Sequence, residues 1–239
     1  MFPFRMKTKK QKIMSDYFSS QPQPLLLKKR ENIGPEQLED TSWTHITANN
    51  LNISYAVVLT KVDCRDIFAK LEAEVEYLTG HLAQVKIFGK SHPIPRQQSA
   101  YGDQGVSYRY SGVSMPAKPW TSTLASLRDL VEEKTRVRYN FVLVNRYKDG
   151  EDKMGDHKDD EKELDPNVAI ASLTLGAERD FIFKHQSRKR LELENVKIVL
   201  KDGMLLLMNP PTNRFWYHGL PPRKSCQEPR INLTFRLIK

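Results

Sequence analysis

From Tyr139 to the C-terminus the chain is a succession of seven short apolar runs separated by turn signals. They are Asn140–Arg146, Ile170–Leu175, Asp180–Lys184, Val196–Leu200, Met204–Met208, Phe215–Gly219 and Arg230–Leu237. Runs this short are strand length, and this many in sequence call for a closed or sandwiched β fold. Two helical patterns precede them. Asp63 to Thr79 places Ile67, Leu71, Val75 and Leu78 on one face, and Pro119 to about Arg136 does so with Leu124, Leu127 and Val131. These helices are placed to cover one sheet. The stretch between them, Val85 to Pro116, is rich in Gly, Pro, Ser and Tyr and reads as short strands and turns.

Residues 1–40 differ in kind. The first thirty carry eight basic residues and a single acid, Asp16, around Ser19-Ser-Gln-Pro-Gln-Pro24. Such a stretch buries too little apolar surface to offset the entropy of ordering it, so a flexible basic tail is expected, with a folded domain from 41 to 239. The net charge of +9 favours a polyanionic partner. No apolar run approaches the roughly 18 residues of a membrane helix, and no secretory leader is visible. Two cysteines, Cys64 and Cys226, cannot build a disulfide framework or a four-cysteine zinc site.

Two constellations carry chemistry. His157 and Asp159, in Met154-Gly-Asp-His-Lys-Asp159, lie two apart and point the same way on an extended segment. With His218 in Trp216-Tyr-His218 they make two imidazoles and a carboxylate, which can occupy one face of an octahedral iron and leave three positions open. Alone, an H-x-D pair is a weak signal, as ordinary polar residues often fall at that spacing. The second constellation is Arg230-Ile-Asn-Leu-Thr-Phe-Arg236, which alternates strictly. Arg230, Asn232, Thr234 and Arg236 share one face, while Ile231, Leu233 and Phe235 share the other. Two guanidiniums on one face repel unless an anion lies between them, and a dicarboxylate fits, gripped bidentately. The bland alternative is the solvated face of an edge strand.

These blocks resemble the AlkB family of iron(II)- and 2-oxoglutarate-dependent dioxygenases, and within it the subgroup that repairs alkylated bases in duplex DNA. The matching segments are Asn145-Arg-Tyr-Lys-Asp-Gly150, His157-x-Asp159, Trp216-Tyr-His218, Arg230-x-Asn-x-Thr-x-Arg236, Val85-Lys-Ile-Phe-Gly-Lys90, Tyr101-Gly-Asp and Tyr108-Arg-Tyr-Ser-Gly112. They run in order over residues 43–239. The resemblance implies an α+β, mainly β domain: a double-stranded β-helix, or jelly roll, with helices packed outside one sheet. It implies His157, Asp159 and His218 as ligands of Fe(II), and Arg230 and Arg236 as holders of the two carboxylates of 2-oxoglutarate. Asn145 and Tyr147 assist, with Asn232 and Thr234 on the same strand face. Dioxygen is the second cosubstrate. The implied reaction hydroxylates an N-methyl group, which leaves as formaldehyde.

The resemblance also implies how the substrate is handled. A base is flipped from the stack and held between Tyr108 and His157, with Tyr110 nearby. Asp160 and Glu161 discriminate a cationic 1-methyladenine or 3-methylcytosine from a neutral base. Etheno adducts are further candidate lesions. Phe88, beside Gly89 and flanked by Lys86 and Lys90, fills the gap in the stack as a wedge, and Arg96 contacts the undamaged strand. The DNA-contacting hairpins span about 85–112. A related dioxygenase working on single-stranded DNA or RNA, or a non-catalytic clamp- and DNA-binding module, are the alternatives.

One motif lies in the tail. Gln11-Lys-Ile-Met14-Ser-Asp-Tyr17-Phe18 has the form Q-x-x-M-x-x-Y-F and resembles the peptide by which replication and repair proteins bind the sliding clamp, proliferating cell nuclear antigen. Met14, Tyr17 and Phe18 would enter an apolar pocket while Gln11 hydrogen-bonds beside it. With Lys28-Lys-Arg30 as a short basic run, a nuclear, monomeric enzyme without membrane contact is expected.

Overall fold

A computed structural model of the chain describes residues 42–87, 90–110 and 113–239. In chain order the strands are β1 (Thr44–Ala48), β2 (Leu51–Val57), β3 (Gln84–Ile87), β4 (Lys90–Pro93), β5 (Gln97–Gly102), β6 (Ser107–Tyr110), β7 (Val113–Pro116) and β8 (Lys118–Pro119). They continue with β9 (Phe141–Tyr147), β10 (Met154–His157), β11 (Ile170–Gly176), β12 (Arg179–His185), β13 (Val196–Leu200), β14 (Met204–Met208), β15 (Trp216–Leu220) and β16 (Arg230–Arg236). The helices are α1 (Lys61–Glu74), α2 (Ser122–Thr135) and two single turns, α3 (Arg188–Leu191) and α4 (Thr212–Phe215).

Eight strands form one sheet in the order β1-β2-β14-β11-β16-β9-β5-β8, and four form a second, β10-β15-β12-β13. The hairpins β3–β4 and β6–β7 stand apart as two small sheets. The large sheet is covered on both faces, as β9, β11 and β16 show by being buried almost throughout. One face meets the small sheet across a core that includes Leu143, Phe181, Phe183, Leu206 and Trp216. The other is covered by α1 and α2, whose Leu71, Leu124, Leu127 and Val131 pack on Val142, Leu173, Leu233 and Phe235. Each face of β16 therefore meets different surroundings. Ile231, Leu233 and Phe235 face the helices, and Arg230, Asn232, Thr234 and Arg236 face the space between the sheets. This is the expected jelly roll with helices outside one sheet. β16 is central and fully covered, so the solvated edge-strand alternative falls.

Both long helices start at a threonine cap. Thr60 accepts from the amide of Asp63 and Thr121 from that of Leu124. α1 ends five residues short of the boundary its apolar spacing suggests. At Val75 the backbone turns extended, and the Leu78 amide bonds to the Gln98 carbonyl, so 75–79 follows the edge of β5 instead of continuing the helix. Leu78 is still packed on apolar neighbours, but on the inner core. The expected start of α2 at Pro119 also moves, to Ser122, because Lys118–Pro119 pairs with β5 as a short parallel strand. The hairpin β1–β2 adds two strands at one side of the large sheet, ahead of the first helix and outside the apolar runs that mark the other strands.

Candidate active site

His157 ends β10 and lies directly opposite His218 on β15, so their rings meet edge to face with centroids 4.3 Å apart. Asp159 follows two residues on. One donor atom from each of the three residues falls within a mutual 4.8 Å. His157 Nδ1 is 2.9 Å from the Gly155 carbonyl, which can only accept. That nitrogen therefore carries a proton in either charge state, so Nε2 is the nitrogen that can bond Asp159 when protonated and a metal when not. Phe181 and Phe183 pack against the His218 ring at 5.4 and 6.1 Å. Burial in this apolar bed drives the His218 imidazole down to about 3, so it is neutral at neutral pH and has a lone pair free for a metal. Burial also disfavours the charged form of His157, but the hydrogen bond and charge of Asp159 outweigh it and leave that imidazole raised.

Asp159 is 6% exposed. Burial alone would raise its carboxyl, yet the Arg236 guanidinium and the two histidines hold it well below the usual range. Arg236 donates to Oδ2 at 2.9 Å, and Oδ1 faces the imidazoles at 3.5 and 3.9 Å. Two imidazole nitrogens and one ionised carboxylate oxygen, converging on one point, are a donor set that suits iron(II).

The same three residues line a narrow cavity of about 30 Å³ between the sheets, whose other wall is Asn145, Tyr147, Arg230, Asn232, Thr234 and Arg236. Arg230 is 1% exposed and donates to the Thr174 hydroxyl at 2.9 Å and the Asn232 amide oxygen at 2.6 Å. No carboxylate among the described residues pairs with it, and its Nε is buried without a partner. Burial, with the charge of nearby Arg179, lowers it to about 10. A buried guanidinium with only neutral partners is costly unless an anion completes it. The cavity is thus built to receive a carboxylate at Arg230, within the same enclosure as the His157–Asp159–His218 cluster.

Residues 54–236 match the sequence model of the 2OG-Fe(II) oxygenase superfamily. The chain belongs to that superfamily. Its cofactor is Fe(II), and its cosubstrates are 2-oxoglutarate and dioxygen. The chain is 51% identical over 205 residues to the mouse (Mus musculus) protein named DNA oxidative demethylase ALKBH2, a match covering 84% of this chain and 86% of that protein. It is also 51% identical over 201 residues to the human (Homo sapiens) protein of the same name, covering 82% and 77%. A solved structure titled "The structure of OsALKBH1" superposes with a TM-score of 0.52 at 17% identity, covering 81% of this chain and 100% of that one, and shares the fold.

The remaining expected site residues fall in several places. Tyr108 and Tyr110 lie on β6, in the hairpin with β7. Asp160 is exposed and Glu161 half-buried, directly after the triad. Arg96 is 8% exposed and its Nε donates to Asn145 at 2.8 Å, so in this structure it faces the cavity wall. Phe88 lies outside the described residues, as does the segment with Gln11, Met14, Tyr17 and Phe18. Sequence reading passed over Gln98, Ser172, Thr174 and Arg179. Their polarity gave no hint that strand pairing would bury all four around the site.

Proposed function

We propose that this enzyme is an oxidative demethylase of N-alkylated bases in DNA, preferably duplex. The observation that carries the reading is the cavity itself. An ionised carboxylate and two imidazoles converge at one end, and a buried guanidinium without a carboxylate partner stands at the other. Relatives at 51% identity, each named a DNA oxidative demethylase, supply the substrate class. A groove of about 570 Å³ lined by Lys184, Arg188, Lys189 and Arg190 opens beside Asp156, one residue from His157, and its charge suits a phosphate backbone.

In this reading His157, Asp159 and His218 hold iron(II). Arg230 grips one carboxylate of 2-oxoglutarate, with Asn145, Tyr147, Asn232 and Thr234 shaping its bed, and Arg236 serves both Asp159 and the cosubstrate. Bound iron and 2-oxoglutarate together activate dioxygen for hydroxylation of the alkyl group. The protein positions the reacting carbon and encloses the charged cosubstrate away from bulk water. Tyr108 and His157 sandwich the flipped base, with Tyr110 beside it, and the carboxylates of Asp160 and Glu161 favour a cationic lesion. Phe88 fills the vacated stack. Arg96 has a second role open to it, as a contact to the undamaged strand, if the hairpins move on binding.

The test is release of succinate and formaldehyde from 2-oxoglutarate and a 1-methyladenine or 3-methylcytosine oligonucleotide with iron. Replacing His157, Asp159 or His218 by Ala should abolish both products while the circular dichroism spectrum stays native. Product release by the Asp159 variant at a normal rate would overturn the reading. Phe88→Ala should impair repair in a duplex far more than in a single strand, and equal losses would favour a single-strand enzyme. The same proposal includes a monomeric enzyme in the nucleus, recruited by Gln11, Met14, Tyr17 and Phe18 to the sliding clamp. A peptide of residues 9–20 should bind that clamp, and changing Tyr17 and Phe18 together to Ala should abolish the binding without slowing demethylation of naked oligonucleotides.

A further inference from the structure

Four polar residues meet in register across the inner face of the large sheet. Gln98 on β5 lies opposite Asn145 on β9, Asn145 opposite Asn232 on β16, and Asn232 opposite Thr174 on β11. All four are buried, from 0% to 7% exposed. Directly opposite residues share a face, so the row crosses the sheet toward the cavity that Asn145 and Asn232 line.

Within the row Asn145 is held in an unusual way. Its Oδ1 accepts from Gln98 Nε2 at 3.0 Å and from Arg96 Nε at 2.8 Å. A carboxamide oxygen has two lone pairs, and both are used. An amide end is otherwise free to take either of two orientations about its broad terminal torsion. Here the reversed orientation would press an NH₂ group against two donors, one of them cationic. The lock leaves Nδ2 on the side away from Arg96 and Gln98, where it makes no hydrogen bond among the described residues and borders the cavity. Gln98 bears a cost for this. Its Oε1 is buried without a partner, so the side chain is held for what its Nε2 does.

We propose that Gln98 and Arg96 are positioning residues for the cosubstrate: they fix the Asn145 carboxamide so that its Nδ2 donates to a carboxylate of 2-oxoglutarate. The inference rests on Asn145 being a cosubstrate residue. It explains why an amide stands there. An aspartate would pair with Arg96 and turn its second oxygen, an acceptor, toward an anion. It also gives Arg96 a role in the buried orientation the structure records.

The experiment is titration of 2-oxoglutarate into the full-length protein loaded with Mn(II), which binds without turning over and needs no DNA. Gln98→Met and Gln98→Leu both remove the donor without placing a charge at this buried position. Both should weaken 2-oxoglutarate binding roughly threefold to tenfold, the loss expected of one neutral hydrogen bond. Metal affinity, melting temperature and affinity for a methylated duplex should stay at wild-type values, which a merely loosened fold would not allow. Asn145→Ala should weaken 2-oxoglutarate binding on its own, and adding Gln98→Met to it should weaken it no further. Unchanged binding in Asn145→Ala would remove the premise. A loss in Asn145→Ala with none in either Gln98 variant, or additive losses in the double variant, would overturn the lock alone. Arg96→Met should weaken 2-oxoglutarate binding as the Gln98 variants do, and 2-oxoglutarate affinity left intact in that variant would return Arg96 to the DNA alone.

Discussion

Arg236 and Asp159 share one hydrogen bond of 2.9 Å, and it divides the carboxylate in two: Oδ2 belongs to the guanidinium and Oδ1 to the imidazole pair. Both partners are buried, 3% and 6% exposed. The arginine therefore serves the metal site before any cosubstrate arrives, by keeping the carboxylate ionised and aimed. Arg236→Met should weaken iron binding as well as 2-oxoglutarate binding. Stripping one partner from a buried pair costs about 3–5 kcal/mol, so the melting temperature should fall too. Iron affinity equal to wild type, measured by metal titration without 2-oxoglutarate, would confine Arg236 to the cosubstrate.

Arg230 stands differently, because its partners are all neutral. Removing it relieves an uncompensated buried charge in the free protein and, on the proposed role, deprives a bound carboxylate of its counter-ion. Arg230→Ala should thus raise the 2-oxoglutarate requirement without loss of iron affinity. A charge-assisted hydrogen bond is worth about 1.5–3 kcal/mol, roughly tenfold to a hundredfold in affinity. The measurement is the 2-oxoglutarate dependence of succinate release, and an unchanged curve would take Arg230 out of the clamp.

How much of this could be read in advance follows from which interactions are local. Strands β13 and β14 have the bounds that their apolar runs suggest, since both periodicity and flanking turns are written nearby. The alternation of Arg230 to Arg236 gave the right two faces for the same reason. The overlong α1 had a tertiary cause: Leu78 satisfies a helical pattern equally well, and only its backbone bond to Gln98 on a distant strand decides against it. Gln98 shows the limit most plainly. Its role depends on lying opposite Asn145, a register set by a pairing across 47 residues. For Arg96 the resemblance implied a role but not an orientation, which the fold supplies.

Cys64 and Cys226 should differ sharply in reactivity. Cys64 is 1% exposed beneath the Gly203 turn, and burial, followed by the nearby Asp202 charge, pushes its thiol up to about 12. The thiolate is the nucleophile, so at pH 8 Cys64 is inert both for want of access and for want of charge. Cys226 is partly exposed. A disulfide reagent should titrate one thiol in the native protein and two in denaturant. Two thiols reacting at one rate under native conditions would mean that the β2–α1 corner opens readily.

Arg179 joins two loops behind the cosubstrate wall. Though 1% exposed, it donates to the carbonyls of Asp149 at 3.1 Å, Asp152 at 2.8 Å and Pro221 at 2.8 Å. The two loops are already interlocked. The Gly150 amide bonds to the Cys226 carbonyl and the Arg223 amide to the Gly150 carbonyl, so close that a Cβ at Gly150 would sit 1.8 Å from the Arg223 oxygen. The guanidiniums of Arg179 and Arg230 both lie near the Tyr147 ring, 5.9 and 5.1 Å from its centroid. Arg179→Met fills the space but strands three carbonyls, each worth about 1–3 kcal/mol when left unpaired and less where water enters. A net loss of about 3 kcal/mol lowers the melting temperature by roughly 6–12 °C in a chain of this size. Because Tyr147 then lacks one of its two neighbouring cations, 2-oxoglutarate affinity should fall in the same variant while the His157–Asp159–His218 cluster still takes up metal. A melting temperature within a degree of wild type would show that the loops are held by Gly150 and Arg223 alone.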